Sequence, residues 1–178
     1  MAKASASTPR TQDKKRSTAA RNEADAIALL KADHRQVEQW FEEFETARTS
    51  NRKQELAGKI CAALRVHSTI EEEIFYPAVQ QLPAKKAEEM TLEAYEEHAV
   101  VKLVLAELPG VDPEDERFDA KMTVLSELIE HHVDEEENEM FKTAKKLGTA
   151  ELNALGDRMA AEVEAVKGPG GTRRRRAA

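Results

Sequence analysis

The chain has 178 residues, 40% hydrophobic and 34% charged, with only 4% aromatics, 7 Gly and 6 Pro. That composition suits one helical domain with a real core and excludes sandwiches, barrels and doubly wound sheets. The net charge of −7 is unevenly spread: residues 1–20 carry +4 and residues 167–178 carry +5, which leaves −16 on the body between them.

Residues 1–20 are rich in Ser, Thr, Ala and Lys and show no apolar periodicity. They are expected to form a disordered basic tail, because too little apolar surface is available to offset the entropy of ordering. The same holds for 168–178, where Gly-Pro-Gly-Gly-Thr precedes Arg173 to Arg176. Basic ends of this kind can contact nucleic acid through phosphates, although solvated tails are the commoner outcome and the acidic body opposes such binding. Met1 to Thr18 contain no apolar h-region, so no secretory signal is expected. No apolar run approaches the roughly 18 residues that span a bilayer. A cytoplasmic protein without membrane contact is expected.

Between the tails, breaks at Thr49-Ser50-Asn51, Leu82-Pro83 and Leu108 to Pro113 divide the chain into helices over about 22–48, 52–81, 84–108 and 114–147. A shorter amphipathic piece follows Gly148. Steps of three and four place one apolar stripe on each segment. The first reads Ile27, Leu30, His34, Val37, Phe41, Phe44, and the second Ile60, Leu64, His67, Glu71, Ile74, Ala78. The third reads Ala87, Thr91, Ala94, His98, Val101, Leu105, Leu108, and the fourth Phe118, Met122, Leu125, Ile129, His132, Glu136, Met140. Short connections favour antiparallel neighbours, so an all-α, up-down-up-down four-helix bundle is predicted. The expected units are a tail (1–20), a bundle (21–147), a short C-terminal helix (148–167) and an Arg-rich tail (168–178).

Each stripe is interrupted by one histidine, and two also carry a glutamate one turn later. Unpaired buried carboxylates cost several kcal/mol. Two in one small core call for a compensating cation. Counted from the turn at residue 50, His34 and His67 lie 16 and 17 residues away; counted from Pro83, His67 and His98 lie 16 and 15 away. At about 1.5 Å per residue these neighbours share a level. His98 and His132 match less well, by roughly two turns. His34, His67, Glu71, His98, His132 and Glu136 thus offer four imidazoles and two carboxylates, a set suited to iron, manganese or zinc. The single cysteine, Cys61, excludes a Cys-only site. With both glutamates bridging two ions and an oxo or hydroxo bridge between them, about two coordination positions of roughly twelve stay open for an exogenous ligand.

His34, His67-Ser-Thr-Ile-Glu71, His98 and His132-Val-Asp-Glu-Glu136, with Asp33-His34-Arg35, Glu71 to Pro77, Glu96-Glu97-His98 and His131 to Phe141 around them, resemble the signature of hemerythrin-like HHE cation-binding domains. The resemblance spans about 25–147. It implies a four-helix bundle holding a non-haem di-iron centre that binds or reacts with oxygen, peroxide or nitric oxide, in carriage, sensing or stress response. Two departures stand out. Oxygen-carrying hemerythrins have a further histidine where this chain has Ala94, which counts against reversible oxygen carriage. They also place an aspartate where this chain has Glu137, which leaves Glu136 and Glu137 as alternatives; the apolar stripe favours Glu136. Tyr95, three residues before His98, is a candidate substitute ligand or hydrogen-bond donor behind the ligands. His131 and Glu135 lie off the stripe and read as surface groups, and Glu38 is a weaker ligand candidate. A di-iron enzyme that decomposes peroxide is the enzymatic alternative, and a helical module using its basic tails on nucleic acid is the third reading. No Glu-x-x-His pair of the ferritin type and no His-Glu-x-x-His zinc motif occurs.

Overall fold

A computed structural model describes residues 25–167; the two basic ends, and the expectations placed on them, lie outside these residues. The described residues contain helices and no strand. The helices are α1 (Ala26–Thr46), α2 (Ser50–Ile70), α3 (Tyr76–Gln80), α4 (Lys85–Glu107), α5 (Glu116–Glu135), α6 (Phe141–Ala144) and α7 (Thr149–Lys167). Side-chain caps set their starts where the sequence supplies Asx or Thr. Asp25 accepts from the Ala28 N–H at 2.8 Å, Thr49 from Arg52 at 3.3 Å and Asp115 from Arg117 at 2.9 Å.

The second and fourth segments of the bundle are each continuous across a wide π turn, Glu71–Phe75 and Glu136–Met140. In both, a backbone N–H reaches back five residues: Tyr76 to the Glu71 carbonyl, Phe141 to the Glu136 carbonyl. The inserted residue rotates everything beyond it. The stripe predicted to continue at Ala78 is therefore displaced, and Phe75, Tyr76 and Val79 are buried instead, with Ala78 only partly covered. Pro77 falls directly after the wide turn, where the α ladder is already out of register, so the helix runs on to Gln80.

The core has two apolar halves. One contains Val37, Phe41, Leu56, Ile60, Leu64, Val101, Leu105 and Leu125. The other contains Leu30, Phe75, Tyr76, Val79, Phe141, Leu155 and Met159. Between them lies a polar layer of His34, His67, Glu71, His98, His132 and Glu136, all buried.

The C-terminal helix has 19 residues, and it is part of this core. It packs along α1 and α2, with Leu152, Leu155 and Met159 inserted among Ile27, Leu30 and Phe75. Gly148 makes the connection at φ 86°, a conformation that suits glycine. The architecture is an all-α bundle of four long antiparallel segments closed at one end by a fifth. Leu155→Ala is expected to cost about 2–5 kcal/mol in urea unfolding, as for a fully buried leucine. A loss below about 0.5 kcal/mol would make α7 an accessory helix. Among the described residues no helix is long and apolar enough to cross a membrane.

Candidate metal centre

His34 from α1, His67 from α2, His98 from α4 and His132 from α5 project into the polar layer. Their imidazoles meet in two pairs: His34 Nε2 lies 3.1 Å from His67 Nε2, and His98 Nε2 lies 3.2 Å from His132 Nε2. Glu71, the first residue of its π turn, spans the pairs, with Oε1 3.1 Å from His67 Nε2 and Oε2 3.4 Å from His98 Nε2. Glu136 stands at the matching place in the other half, with Oε2 3.4 Å from His34 Nε2 and 3.8 Å from His132 Nε2. His34, His67, Glu71 and Glu136 form one group of convergent ligand atoms, and Glu71, His98 and His132 a second. The mismatch counted for His98 and His132 narrows to about one turn, because α4 extends through a 3-10 turn at Leu108–Gly110 while α5 starts only at Glu116.

These groups fit a pair of cations. Two ligands about 2.1 Å from one octahedral ion and at right angles are about 3.0 Å from each other, close to the spacings observed here. Both oxygens of Glu71 and Oε2 of Glu136 are buried without a hydrogen-bond partner. Such atoms are costly unless a positive charge meets them. Without a metal, protons fill that role. Burial opposes a charge on His67, but the nearby Glu71 carboxylate overcomes it and pushes the imidazole up to about 10. Burial would likewise raise Glu136, yet the His34 hydrogen bond and the charge of His132 hold it down at about 2.

The outer nitrogens are oriented by a ring of carboxylates. His34 Nδ1 pairs with Glu137 at 3.0 Å, His98 Nδ1 with Glu72 at 2.9 Å and His132 Nδ1 with Glu97 at 2.7 Å. His67 Nδ1 faces Asp33 at 3.6 Å, beyond hydrogen-bond reach. A carboxylate at Nδ1 keeps the proton there and turns the Nε2 lone pair inward. Lys31 and Arg35 in turn hold Glu137 at 2.8 and 2.6 Å, and Lys102 holds Glu72 at 2.6 Å. Of the alternatives at 136 and 137, Glu136 lies inside the cluster and Glu137 stands behind His34. Glu72→Ala is expected to weaken metal binding about 10–100-fold while leaving the helical signal intact, as read by chelator competition. Unchanged affinity would mean that His98 is held by packing alone.

Tyr95 does not reach the cluster. Its hydroxyl donates to the Glu72 carbonyl at 3.1 Å, and its ring packs edge-on against Tyr76. Tyr76, absent from the sequence-derived candidates, is the tyrosine at the centre. Its hydroxyl donates to Glu136 Oε1 at 2.9 Å and lies 3.4 Å from His98 Nε2. Burial, then the charges of Glu71 and Glu136, push the phenol well above its ordinary range and keep it protonated. The recurrence of His-x-x-x-Glu at 67–71 and 132–136 could have pointed to it. Tyr76 and Phe141 each lie five residues beyond a cluster glutamate, and Phe141 stacks on His34 as Tyr76 leans on His98. At this position the two halves of the site differ by one hydroxyl. Glu38 faces away, paired with Arg35 at 2.8 Å.

On the side of Val37, Leu64 and Val101, the four imidazoles border an apolar cavity of about 20 Å³. It shares His34, Ile129 and Val133 with a groove of about 500 Å³ between α1 and α5.

The family described as Hemerythrin HHE cation binding domain matches residues 25–144. A protein of Nostoc sp. named DNA nickase is 28% identical over 113 residues, 64% of this chain; the chain spans 31% of that protein. The uncharacterized protein Rv2633c of Mycobacterium tuberculosis is 29% identical over 121 residues, which cover 67% of this chain and 72% of that one. A crystal structure from Mycobacterium kansasii, described as a hemerythrin HHE cation-binding-domain protein and Rv2633c homologue, superposes with a TM-score of 0.71 at 24% identity. It covers 86% of this chain and 93% of its own. That likeness is one of fold.

Proposed function

The chain belongs to the hemerythrin HHE cation-binding domain family, and from that premise we propose that it is a non-haem di-iron protein. In this reading it engages a small oxidant (oxygen, peroxide or nitric oxide) in sensing or in the response to oxidative or nitrosative stress. The observation that carries the proposal is the polar layer itself: four inward Nε2 atoms, both oxygens of Glu71 and Oε2 of Glu136 without hydrogen-bond partners, beside a small apolar cavity. His34, His67, His98 and His132 would hold two ions, with Glu71 and Glu136 across them. When bound, the ions supply one-electron redox chemistry and open coordination positions. Iron is favoured by this nitrogen-rich set with carboxylates and no thiolate, although manganese and zinc share the preference.

The remaining chemistry belongs to the protein's own groups. Glu72, Glu97 and Glu137 fix the imidazole tautomers. Val37, Leu64 and Val101 exclude bulk water from the small cavity, whose volume admits about one or two water-sized molecules. The Tyr76 hydroxyl donates a hydrogen bond to Glu136 Oε1, so Oε2 would be the oxygen free to hold an ion. Ala94 removes the extra histidine of the oxygen carriers, which favours reaction or sensing over reversible carriage. The experiment is iron content per chain with an absorption spectrum, followed by anaerobic titration with nitric oxide and with peroxide. About two irons per chain, near-ultraviolet oxo-bridge bands and a saturable response to one oxidant are expected. Protein that cannot be loaded with iron would end the proposal. Sustained peroxide turnover would establish the enzymatic form of it.

The likeness to a protein named DNA nickase supports a second reading, in which the basic ends, 1–20 and 168–178, contact nucleic acid. Truncating both ends should then abolish binding that weakens steeply with salt. Salt-independent or unchanged binding would refute it.

A further inference from the structure

Beside His132 and Glu136, between α4 and the end of α5, lies a pocket of about 250 Å³. Ala94 makes the room; a larger side chain there would fill it. The buried floor is Ala94, His132 and Glu136, and the outer wall is acidic: Glu93, Glu97, Glu135 and Glu139. Of the five histidines in the chain, His131 is the exposed one, at 64% side-chain exposure, and it stands at this wall. Its Nε2 is 3.5 Å from Glu97 Oε1 and 3.5 Å from Glu135 Oε1. One ligand atom from each of the three lies within 4.8 Å of the others.

Three other acids around the centre are paired with bases. Glu137 is paired with Lys31 and Arg35, Glu72 with Lys102, and Glu139 with Lys86 at 2.6 Å. Among the described residues, neither Glu97 nor Glu135 is paired with a Lys or Arg, so their charge is left for a mobile cation. Glu97 also faces both ways: Oε1 toward His131 and Oε2, at 2.7 Å, on His132 Nδ1. Behind it the floor carries Glu136, 1% exposed, with an unpartnered Oε2.

We propose that Glu97, His131 and Glu135 form a third, exposed divalent-cation site at the mouth of this pocket, which captures the ion on its way to His132 and Glu136. This rests on the reading of the buried cluster as a metal centre. One imidazole and two carboxylates suit a borderline first-row divalent ion such as Fe²⁺ or Mn²⁺. Three protein ligands leave the remaining positions to water, so the ion is held weakly and exchanges. The transfer is ligand exchange without electron transfer: the ion trades water, His131 and Glu135 for the buried imidazole and carboxylate. In the groove between α1 and α5, by contrast, Arg35 pairs with Glu38 and Glu137 at the entrance beside His34.

The test uses the full-length, metal-free protein in two readouts. Mn²⁺ added below stoichiometry should broaden the imidazole proton signals of His131. Co²⁺ entry into the buried centre, followed by its visible absorption, should be about tenfold slower in the double variant His131→Ala with Glu135→Gln, as expected when a steering site is removed. The final occupancy should be the same. Glu130→Gln, which removes one charge from the other groove, should leave the rate within about twofold. Equal rates in wild type and double variant, or an unaffected His131 signal, overturn the proposal. Wild type that takes up no Co²⁺ overturns the buried-centre reading instead, and the His131 response tells the two failures apart.

Discussion

Glu71→Gln is expected to abolish binding of the ion pair while the bundle stays folded. Glu71 reaches both histidine pairs with separate oxygens, and neither oxygen has another partner. The loss should therefore exceed the ~10–100-fold seen when an orienting partner is removed. Metal content per chain should fall from about two to a small fraction of one. Thermal melting gives an independent readout. An ion at about 100 times its dissociation constant stabilises the native state by about 2.7 kcal/mol. For a chain of this size that is a shift of roughly 5–10 °C. Wild type should show this shift on loading and Glu71→Gln should not. An equal shift in both would remove Glu71 from the metal centre.

The second large effect is on stability. Phe75 is fully buried beneath the polar layer, edge-on to Phe141 with ring centroids 5.7 Å apart. Phe75→Ala should cost about 3–5 kcal/mol, a lowering of the melting temperature by roughly 10 °C for a chain of this size. Metal content per folded chain should be retained, since Phe75 contributes no atom to the His/Glu cluster. A variant that melts normally but loses metal would mean that Phe75 supports the turn that aims Glu71. These two substitutions separate what holds the bundle from what holds the metal.

The tyrosine at the centre shows where one-dimensional reading runs out. Tyr95 lies three residues before His98, so helix spacing favours it as a neighbour of the site. Tyr76 lies nine residues beyond His67, at a position that an uninterrupted α-helix would turn elsewhere. The π turn that begins at Glu71 adds one residue, and one residue is about 100° of rotation on a helix. That rotation carries Tyr76 inward and leaves Ala78 only partly covered at the edge of the core. Nothing in the hydrophobic pattern of a single helix marks such an insertion in advance. The same turn recurs at Glu136 without a proline nearby, so Pro77 is not its cause. The common element is a buried glutamate at the first position of each turn.

The acidic neighbours of the ligands were legible as charge and illegible as function. Glu72, Glu97 and Glu137 stand in acidic runs along their own helices. Each turns instead toward a histidine on a different helix, His98, His132 and His34 respectively. Which helix an acid faces depends on how the helices are rotated and which are neighbours.

By itself the sequence determined the helical class, the antiparallel order of the long segments, and six polar residues on otherwise apolar stripes. These are local properties: periodicity, capping residues and helix-breaking signals act within a turn or two of the chain. Only the tertiary structure decided that Glu136 and not Glu137 enters the cluster, that Tyr76 and not Tyr95 touches it, and that α7 completes the core. It also decided that His131 meets Glu97 across two helices. Those outcomes depend on helix rotation and on contacts between residues far apart in sequence, which no local period encodes.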